Sequence, residues 1–396
     1  MAKIVVVGGS LGGLLVANLL HRSGHDVQLL EKASQALDGR GAGIVTHPPL
    51  VDALHRAGVP RDSEMGVQVQ ERVALDVHGN SVSTIEMPQI LTSWGRLYLQ
   101  LREALPTECY RAGVEVQRVD QRADGIVALT TSGEIPGDLL IASDGLRSTV
   151  RQQFAPQMMP VYAGYVAWRG VCDESVLSNR TRETLFGRFG FGLPDGEQII
   201  GYPVAGANHS TTSGERRYNF VWYRSAPEGP SLIELLSDAD GTHYPTGIPP
   251  HRLDWRQVHH MRQAACAILA PQFAEIVEKT GQPFLQPIFD VSSDQIAFGR
   301  VALMGDASFV ARPHVGAGVT KAAEDALALV ACINARGANE AALLSYQTQR
   351  LPIGQQTVER GRMLGRYMQA QNTVNGLSEP REVERVLRET AALWDR

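Results

Sequence analysis

Six residues near the amino terminus, Gly8-Gly9-Ser10-Leu11-Gly12-Gly13, constrain this chain more than any other segment. They follow an apolar run, Ile4 to Val7, and lead into a helix-periodic stretch through Leu20. A second apolar run, Val27 to Leu30, ends at Glu31. Strand, glycine turn, helix and strand within about thirty residues make a parallel βαβ unit. Glycines let the turn close tightly and let a pyrophosphate approach the helix amino terminus, whose N–H groups favour an anion. Glu31 falls eighteen residues beyond Gly13, at the tip of the second strand, where a carboxylate can accept from the hydroxyls of an adenosine ribose. Ser10 stands where the second glycine of a dinucleotide-binding turn usually sits. A turn packed for structural reasons alone would carry the same glycines; the placed acid separates the two readings.

At 396 residues the chain has room for two or three domains. Its 43% hydrophobic and 20% charged content excludes a disordered or collagen-like chain. A net charge of −5 and a pI near 6.1 give no electrostatic reason to expect nucleic acid or an anionic membrane as partner. No apolar run reaches the ~18 residues that would suggest a bilayer span, and the start lacks the layout of a secretory signal. The four cysteines, Cys109, Cys172, Cys266 and Cys332, are isolated in sequence. Such spacing predicts a reducing, cytoplasmic setting, with neither a disulfide framework nor a metal centre.

Two further segments end short buried strands on an acid and a glycine. Leu139 to Ile141 leads to Asp144-Gly145, with Ser148 placed to cap the residues after it. Gly299 to Met304 leads to Gly305-Asp306-Ala307, where the Asp306 carboxylate could bind a polyol hydroxyl. Beyond it, Pro313 stiffens the run Arg312 to Val319, and Gly316 and Gly318 bring backbone N–H groups at a helix start towards an acceptor or anion. An ordinary strand–turn–helix junction has the same local form in each case. Between these segments the sequence predicts a glycine-rich loop over Gly39 to Ile44 and strands by alternation over Val67 to Ile85. It further predicts a helix from Arg96 to Leu105 and a hairpin of Val114–Val119 with Ile126–Thr131. Aromatic-rich runs from Tyr165 to Tyr223 suggest a mixed or antiparallel sheet, and the tail from Asn339 is charged and helical in period.

Taken together and in this order, the three motifs resemble the class A flavoprotein aromatic hydroxylases, with the para-hydroxybenzoate hydroxylase fold. The resemblance implies an α/β chain: a Rossmann-like FAD-binding domain with an inserted β-rich substrate domain and a C-terminal helical region. The expected limits are 1–70, 94–160 and 284–345 for FAD, 71–93 and 161–283 for substrate, and 346–396 for the helices. It further implies that FAD is held by Gly8, Gly9, Ser10, Leu11, Gly12, Gly13, Glu31, Lys32, Arg40, Gly43, Ile44, Arg96, Val119 and Asp144, then by Asp306, Pro313, Gly316, Ala317, Gly318 and Val319. Arg96 rests on a single-residue match and could equally be a solvated helix arginine. The runs Gly43-Ile44-Val45, Tyr162 to Gly170 and Arg312-Pro313-His314 look like those of the hydroxypyridine hydroxylases in that family. Phe309, where many relatives carry His, and Val319-Thr320, where an Asn is common, depart from the pattern and leave the substrate open.

The implied chemistry is hydroxylation of a small electron-rich aromatic or N-heteroaromatic ring. NADH or NADPH, bound transiently, reduces FAD; O2 then gives a flavin C4a-hydroperoxide that the ring attacks. A homodimer is a family expectation that no residue of this sequence demands. On the substrate side, His314 and His47 could deprotonate or hydrogen-bond a ring hydroxyl, with Pro313 beside them, although each could also be a structural histidine. Alternation along Arg217 to Tyr223 places Asn219, Val221 and Tyr223 on one face and Phe220 and Trp222 on the other. Tyr223, Tyr202 and Trp168 are the expected substrate contacts. Alternatives that share the flavin are ring cleavage or another flavin oxidoreduction; a non-catalytic nucleotide-binding subunit would leave the later motifs idle.

Overall fold

The apolar run at the amino terminus forms the strand Lys3–Val7, buried from Ile4 onward. It lies inside a six-stranded sheet whose order is Ala297–Phe298, Val301–Leu303, Leu139–Ala142, Lys3–Val7, Asp26–Glu31, Tyr110–Ala112. Every neighbouring pair is parallel except the first. Near-continuous burial of Val301–Leu303, Leu139–Ala142 and Lys3–Val7 fits strands covered on both faces. The helices Leu11–Arg22 and Gly318–Arg336 pack against each other there. This computed structural model describes residues 1–35, 37, 43–61, 64–369 and 382–394.

Topology brings the three motifs together. Lys3–Val7, Leu139–Ala142 and Val301–Leu303 are adjacent parallel strands, so the turns that leave their carboxyl ends emerge side by side. Those turns carry Gly8–Gly13, Asp144–Gly145 and Gly305–Asp306, at the edge where open parallel sheets bind ligands.

The second sheet has eight strands, ordered Phe284–Asp290, Val161–Asp173, Arg217–Ser225, Gln198–Val204, Arg188–Gly192, Val67–Leu75, Ser81–Ser93, Gly43–Val45. It is antiparallel except where Arg188–Gly192 runs beside Val67–Leu75. Two expected limits, at 71 and 284, therefore divide elements that hydrogen-bond in this one sheet. The reason is pairing: Phe284–Asp290 reads as an apolar strand in either sheet, and only its contact with Val161–Asp173 decides. Gly43 and Ile44, the end of the expected Gly39–Ile44 loop, instead form with Val45 an edge strand against Leu91–Ser93.

The expected hairpin is present as Val116–Gln121 with Ile126–Thr130, extended by Gly133–Gly137 into a three-stranded meander. The expected helix spans Trp94–Ala104, with Ser93 accepting from the Arg96 N–H as its cap. The tail forms the long helix Glu340–Gln369, with Pro352 inside it, and a short helix Val383–Glu389 packed on Val67–Leu75 and Ser81–Ser93. Among the described residues no helix is long and apolar enough to cross a membrane.

Candidate active site

The first turn forms one wall of a cleft of about 330 Å³, lined by Gly8, Ser10, Glu31, Lys32, Trp94, Val114–Val116 and Ser143–Gly145 among others. Its tightness requires glycine: a Cβ on Gly13 would lie 1.8 Å from the Gly8 carbonyl oxygen, and Gly8 has φ +98°. Ser10 precedes the helix in an extended conformation and makes no capping hydrogen bond, so its hydroxyl remains available beside the helix's first N–H groups. Ser10 needs no positive φ, which explains how serine replaces glycine there. Glu31 accepts from Gly9 N–H at 2.7 Å and Ala33 N–H at 2.8 Å, fixing its carboxylate at the cleft wall. Asp144 presents an Oδ1 that is buried without a hydrogen-bond partner among the described residues. Burial pushes this acid up, opposed chiefly by its hydrogen bond to Ser148. An orphaned acceptor, a Cβ-free cradle and a placed Glu31 fit a dinucleotide carrying hydroxyls and a pyrophosphate.

The turn at Asp144 continues through Leu146 into a second cavity of about 290 Å³. One side is built from Asp306, Pro313 and Val315–Val319; the other is the inner face of the eight-stranded sheet. Two buried networks hold the first side. Arg151 donates to the carbonyls of Leu146, Met158 and Ala307, tying the Asp144 turn to the Asp306 turn. Lys321 donates to Gly305 O at 2.8 Å and pairs with Asp325, which also receives Arg350 at 2.7 Å. The Asp306 side chain is open to the cavity but enclosed on its other sides; burial pushes its acid up, and Lys321 pulls it back. Gly316 takes the left-handed conformation, φ +59°, that lets the chain turn from Pro313–Val315 into the helix Gly318–Arg336.

On the sheet side, register decides which residues face the cavity. Arg169 pairs with Val221, Val221 with Ile200, and Ala167 with Tyr223. Arg169, Val221, Tyr223, Ile200, Tyr202, Phe189 and Gln286 line it. Gly43 is close enough that a Cβ would meet the Tyr202 ring at 2.3 Å, which brings the Gly43–Val45 strand onto the same cavity. Burial pushes the Tyr202 phenol up to about 12 and raises Tyr223 further, each opposed by the positive charge of Arg169. Both phenols therefore stay protonated at neutral pH and act as hydrogen-bond donors.

The expected residues divide accordingly. Gly8, Ser10, Glu31, Lys32 and Asp144 line the cleft, and Gly43, Ile44, Asp306, Pro313, Gly316, Ala317, Gly318, Val319, Tyr202 and Tyr223 line the cavity. Gly9, Leu11, Gly12 and Gly13 complete the turn and helix start. His314 does not reach the cavity surface. It is fully buried, bonded through Nε2 to the Tyr165 hydroxyl at 2.7 Å, and pushed down to about 3 by burial and by the Arg312 charge. An imidazole that refuses protons until pH ~3 is a poor base at neutral pH. His47 precedes the helix Pro48–Arg56, lies 3.0 Å from Thr320 Oγ1, and lines a different, more open hollow that shares no residue with the cleft or the cavity. Trp168 pairs with Trp222, and both pack into the core on the opposite face of the sheet. Val119 is core-facing and exchanges two hydrogen bonds with Gln153; Val114–Val116 take its place at the cleft. Arg96 donates to the carbonyls of Glu64 and His209 rather than into the cleft. Arg40 lies outside the described residues.

Arg151, Lys321, Asp325 and Arg169 were not anticipated as site residues. The i,i+4 spacing of Lys321 and Asp325 was visible in the sequence, but it is a common solvent-exposed pattern; only burial gives it meaning.

Comparison with known proteins agrees with this geometry. A family described as FAD binding domain matches residues 1–188 and 272–361, and one described as FAD binding domain-like matches 162–290. The chain is 31% identical to 2,6-dihydroxypyridine 3-monooxygenase of Paenarthrobacter nicotinovorans, over 89% of this chain and 88% of that one. It is 30% identical to 3-amino-4-hydroxybenzoate 2-monooxygenase of Streptomyces cremeus, over 91% and 86%. The solved structure of 2,6-dihydroxypyridine-3-hydroxylase from Arthrobacter nicotinovorans superposes with a TM-score of 0.88 at 29% identity, covering 96% of this chain and 99% of that one. A cleft shaped for a dinucleotide, continuous with an aromatic cavity and matched along nearly its whole length by such enzymes, places the chain in the family of FAD-dependent aromatic-ring monooxygenases, the class A flavoprotein hydroxylases.

Proposed function

We propose that this enzyme hydroxylates a small hydroxypyridine-like ring held between the Pro313–Val319 segment and the inner face of the eight-stranded sheet. The observation that carries the reading is that one cavity is lined on one side by the helix start Gly316–Val319 and on the other by Tyr202, Tyr223 and Arg169. FAD, when bound, supplies the redox chemistry: it takes reducing equivalents from NADH or NADPH and activates O2.

The chain's own residues supply position and electrostatics. The Gly8–Gly13 turn would hold the pyrophosphate, Glu31 the ribose and Asp306 the ribitol hydroxyls, with the N–H groups after Gly316 directed at the isoalloxazine ring. The positive end of the helix Gly318–Arg336 would stabilise negative charge there. Tyr202 and Tyr223, as neutral donors, would orient a ring oxygen, and the apolar walls from Phe189, Ile200 and Val221 would exclude water. No buried base at the cavity surface is needed for a ring that enters already ionised.

The purified holoenzyme should consume O2 and NADH or NADPH in step with added 2,6-dihydroxypyridine or a close hydroxypyridine, yielding a product one oxygen heavier by mass spectrometry. Coenzyme oxidation unstimulated by every phenol and hydroxypyridine tested would sink the reading. Cleaved-ring products would favour the oxygenolytic alternative.

A further inference from the structure

The cavity has a charge asymmetry that its general shape does not explain. Three charged side chains line it: Arg169, Asp306 and Lys321. Lys321 is neutralised by Asp325 at 3.1 Å and by the Gly305 carbonyl. Asp306 has Lys321 and Arg151 as cationic neighbours on its own side of the cavity. Arg169 pairs with no carboxylate among the described residues. Among the described residues its guanidinium donates one hydrogen bond, to the neutral Gln286 Oε1 at 2.8 Å, and its Nε is buried without a partner. The guanidinium lies 5.8 Å from the Phe284 ring, and its field reaches both Tyr202 and Tyr223. Sheet pairing on both sides, to Val221 and to Phe284, holds its backbone in the middle of the cavity wall.

We infer that Arg169 recognises an anionic group on the substrate, so that the enzyme takes its ring as an oxyanion: a carboxylate or an ionised ring hydroxyl. A guanidinium with unused donors beside two phenols that each keep a hydroxyl proton to give makes a donor-rich site, and the ligand that complements it is an acceptor carrying negative charge. The inference rests on the proposed hydroxylase reading for the location of the ring, and goes beyond it by naming the charge state selected. Replacing Arg169 by lysine would keep the charge but lose the planar fork, so recognition should fall without vanishing.

The test is equilibrium binding to the oxidised holoenzyme, by calorimetry, with paired probes: 6-hydroxynicotinate against 6-hydroxynicotinamide, and 2,6-dihydroxypyridine against 2,6-dimethoxypyridine. The wild type should bind the anionic member of at least one pair about tenfold or more tightly than its neutral partner. Which pair discriminates identifies a carboxylate or an ionised hydroxyl as the recognised group. Arg169→Met should abolish the preference while holding FAD and binding the neutral probes as before, and Arg169→Lys should retain part of it. Equal binding of both members of each pair by the wild type overturns the inference, as does failure to bind any anionic probe, or a preference that survives in Arg169→Met. Should Arg169→Met fail to retain FAD, Arg169→Lys and the wild-type comparison decide. Anion preference without turnover would leave Arg169 assigned and the hydroxylase reading in error; turnover without anion preference would do the reverse.

Discussion

The imidazole of His314 is packed between the rings of Tyr165 and Tyr223, with centroids 5.6 and 4.2 Å away. Its folded-state value, about 3, lies below the ~6.5 of an exposed histidine, so between those values the unfolded chain binds a proton that the folded chain refuses. The resulting stabilisation is complete above the unfolded value and is lost as pH falls towards the folded one, at about 1.4 kcal/mol per pH unit across the window. His314→Gln removes this titration and keeps a polar partner for Tyr165. Urea unfolding of the two proteins at pH 7 and pH 5 should therefore give a shallower acid loss for the variant, by about one proton's slope. Parallel slopes would mean that His314 titrates freely in the native protein. At this scale the sequence was legible where a period suffices: alternation placed Val221 and Tyr223 opposite Phe220 and Trp222. It failed for Trp168, whose facing depends on which residue of Arg217–Ser225 it meets, and for His314, whose burial depends on three separate elements.

Among the elements, the carboxyl-terminal segment was the least foreseeable part of the site. Ala391 lines the ring cavity, donates its N–H to His314 O at 2.8 Å, and would lie within 2.6 Å of a Cβ on Gly316. What holds it there is Arg72, fully buried and without an acidic partner among the described residues, which donates to the carbonyls of Leu387, Thr390 and Ala391 and to Gln89 Oε1. Burial pushes its guanidinium down to about 9, still charged at neutral pH. Arg72→Leu would strand those carbonyls at a cost of about 1–3 kcal/mol. The variant should show faster amide exchange across residues 382–394 and earlier proteolytic trimming of that end, with the six-stranded sheet unaffected. Unchanged exchange there would mean that the helix Val383–Glu389 is held by apolar packing alone. An isolated arginine in an alternating strand reads as a solvent-facing residue, so no local pattern could have disclosed this link.

In the whole molecule, the cleft sits at the carboxyl edge of the six-stranded sheet, the cavity lies between that edge and the eight-stranded sheet, and the two are joined at the Asp144–Leu146 turn, with Arg151 bridging to the Asp306 turn. The sheet order explains why three motifs separated by more than a hundred residues were readable as one site: each closes a strand adjacent to the next. The substrate side had no such rule, because its residues come from six strands whose pairing only the folded chain defines. A ligand that runs the length of this seam stabilises both halves at once, by about 2.7 kcal/mol when its free concentration is a hundred times its dissociation constant. Stripping FAD should therefore lower the unfolding temperature of the whole molecule in a single transition, and added FAD should restore it. Asp306→Ala, which removes the carboxylate acceptor lining the cavity, should shrink the FAD-dependent gain while leaving the melting of the stripped protein nearly unchanged. An equal gain in both proteins would show that the carboxylate contributes nothing to holding FAD. Two separate transitions after stripping would show that the sheets unfold independently and that the seam does not couple them.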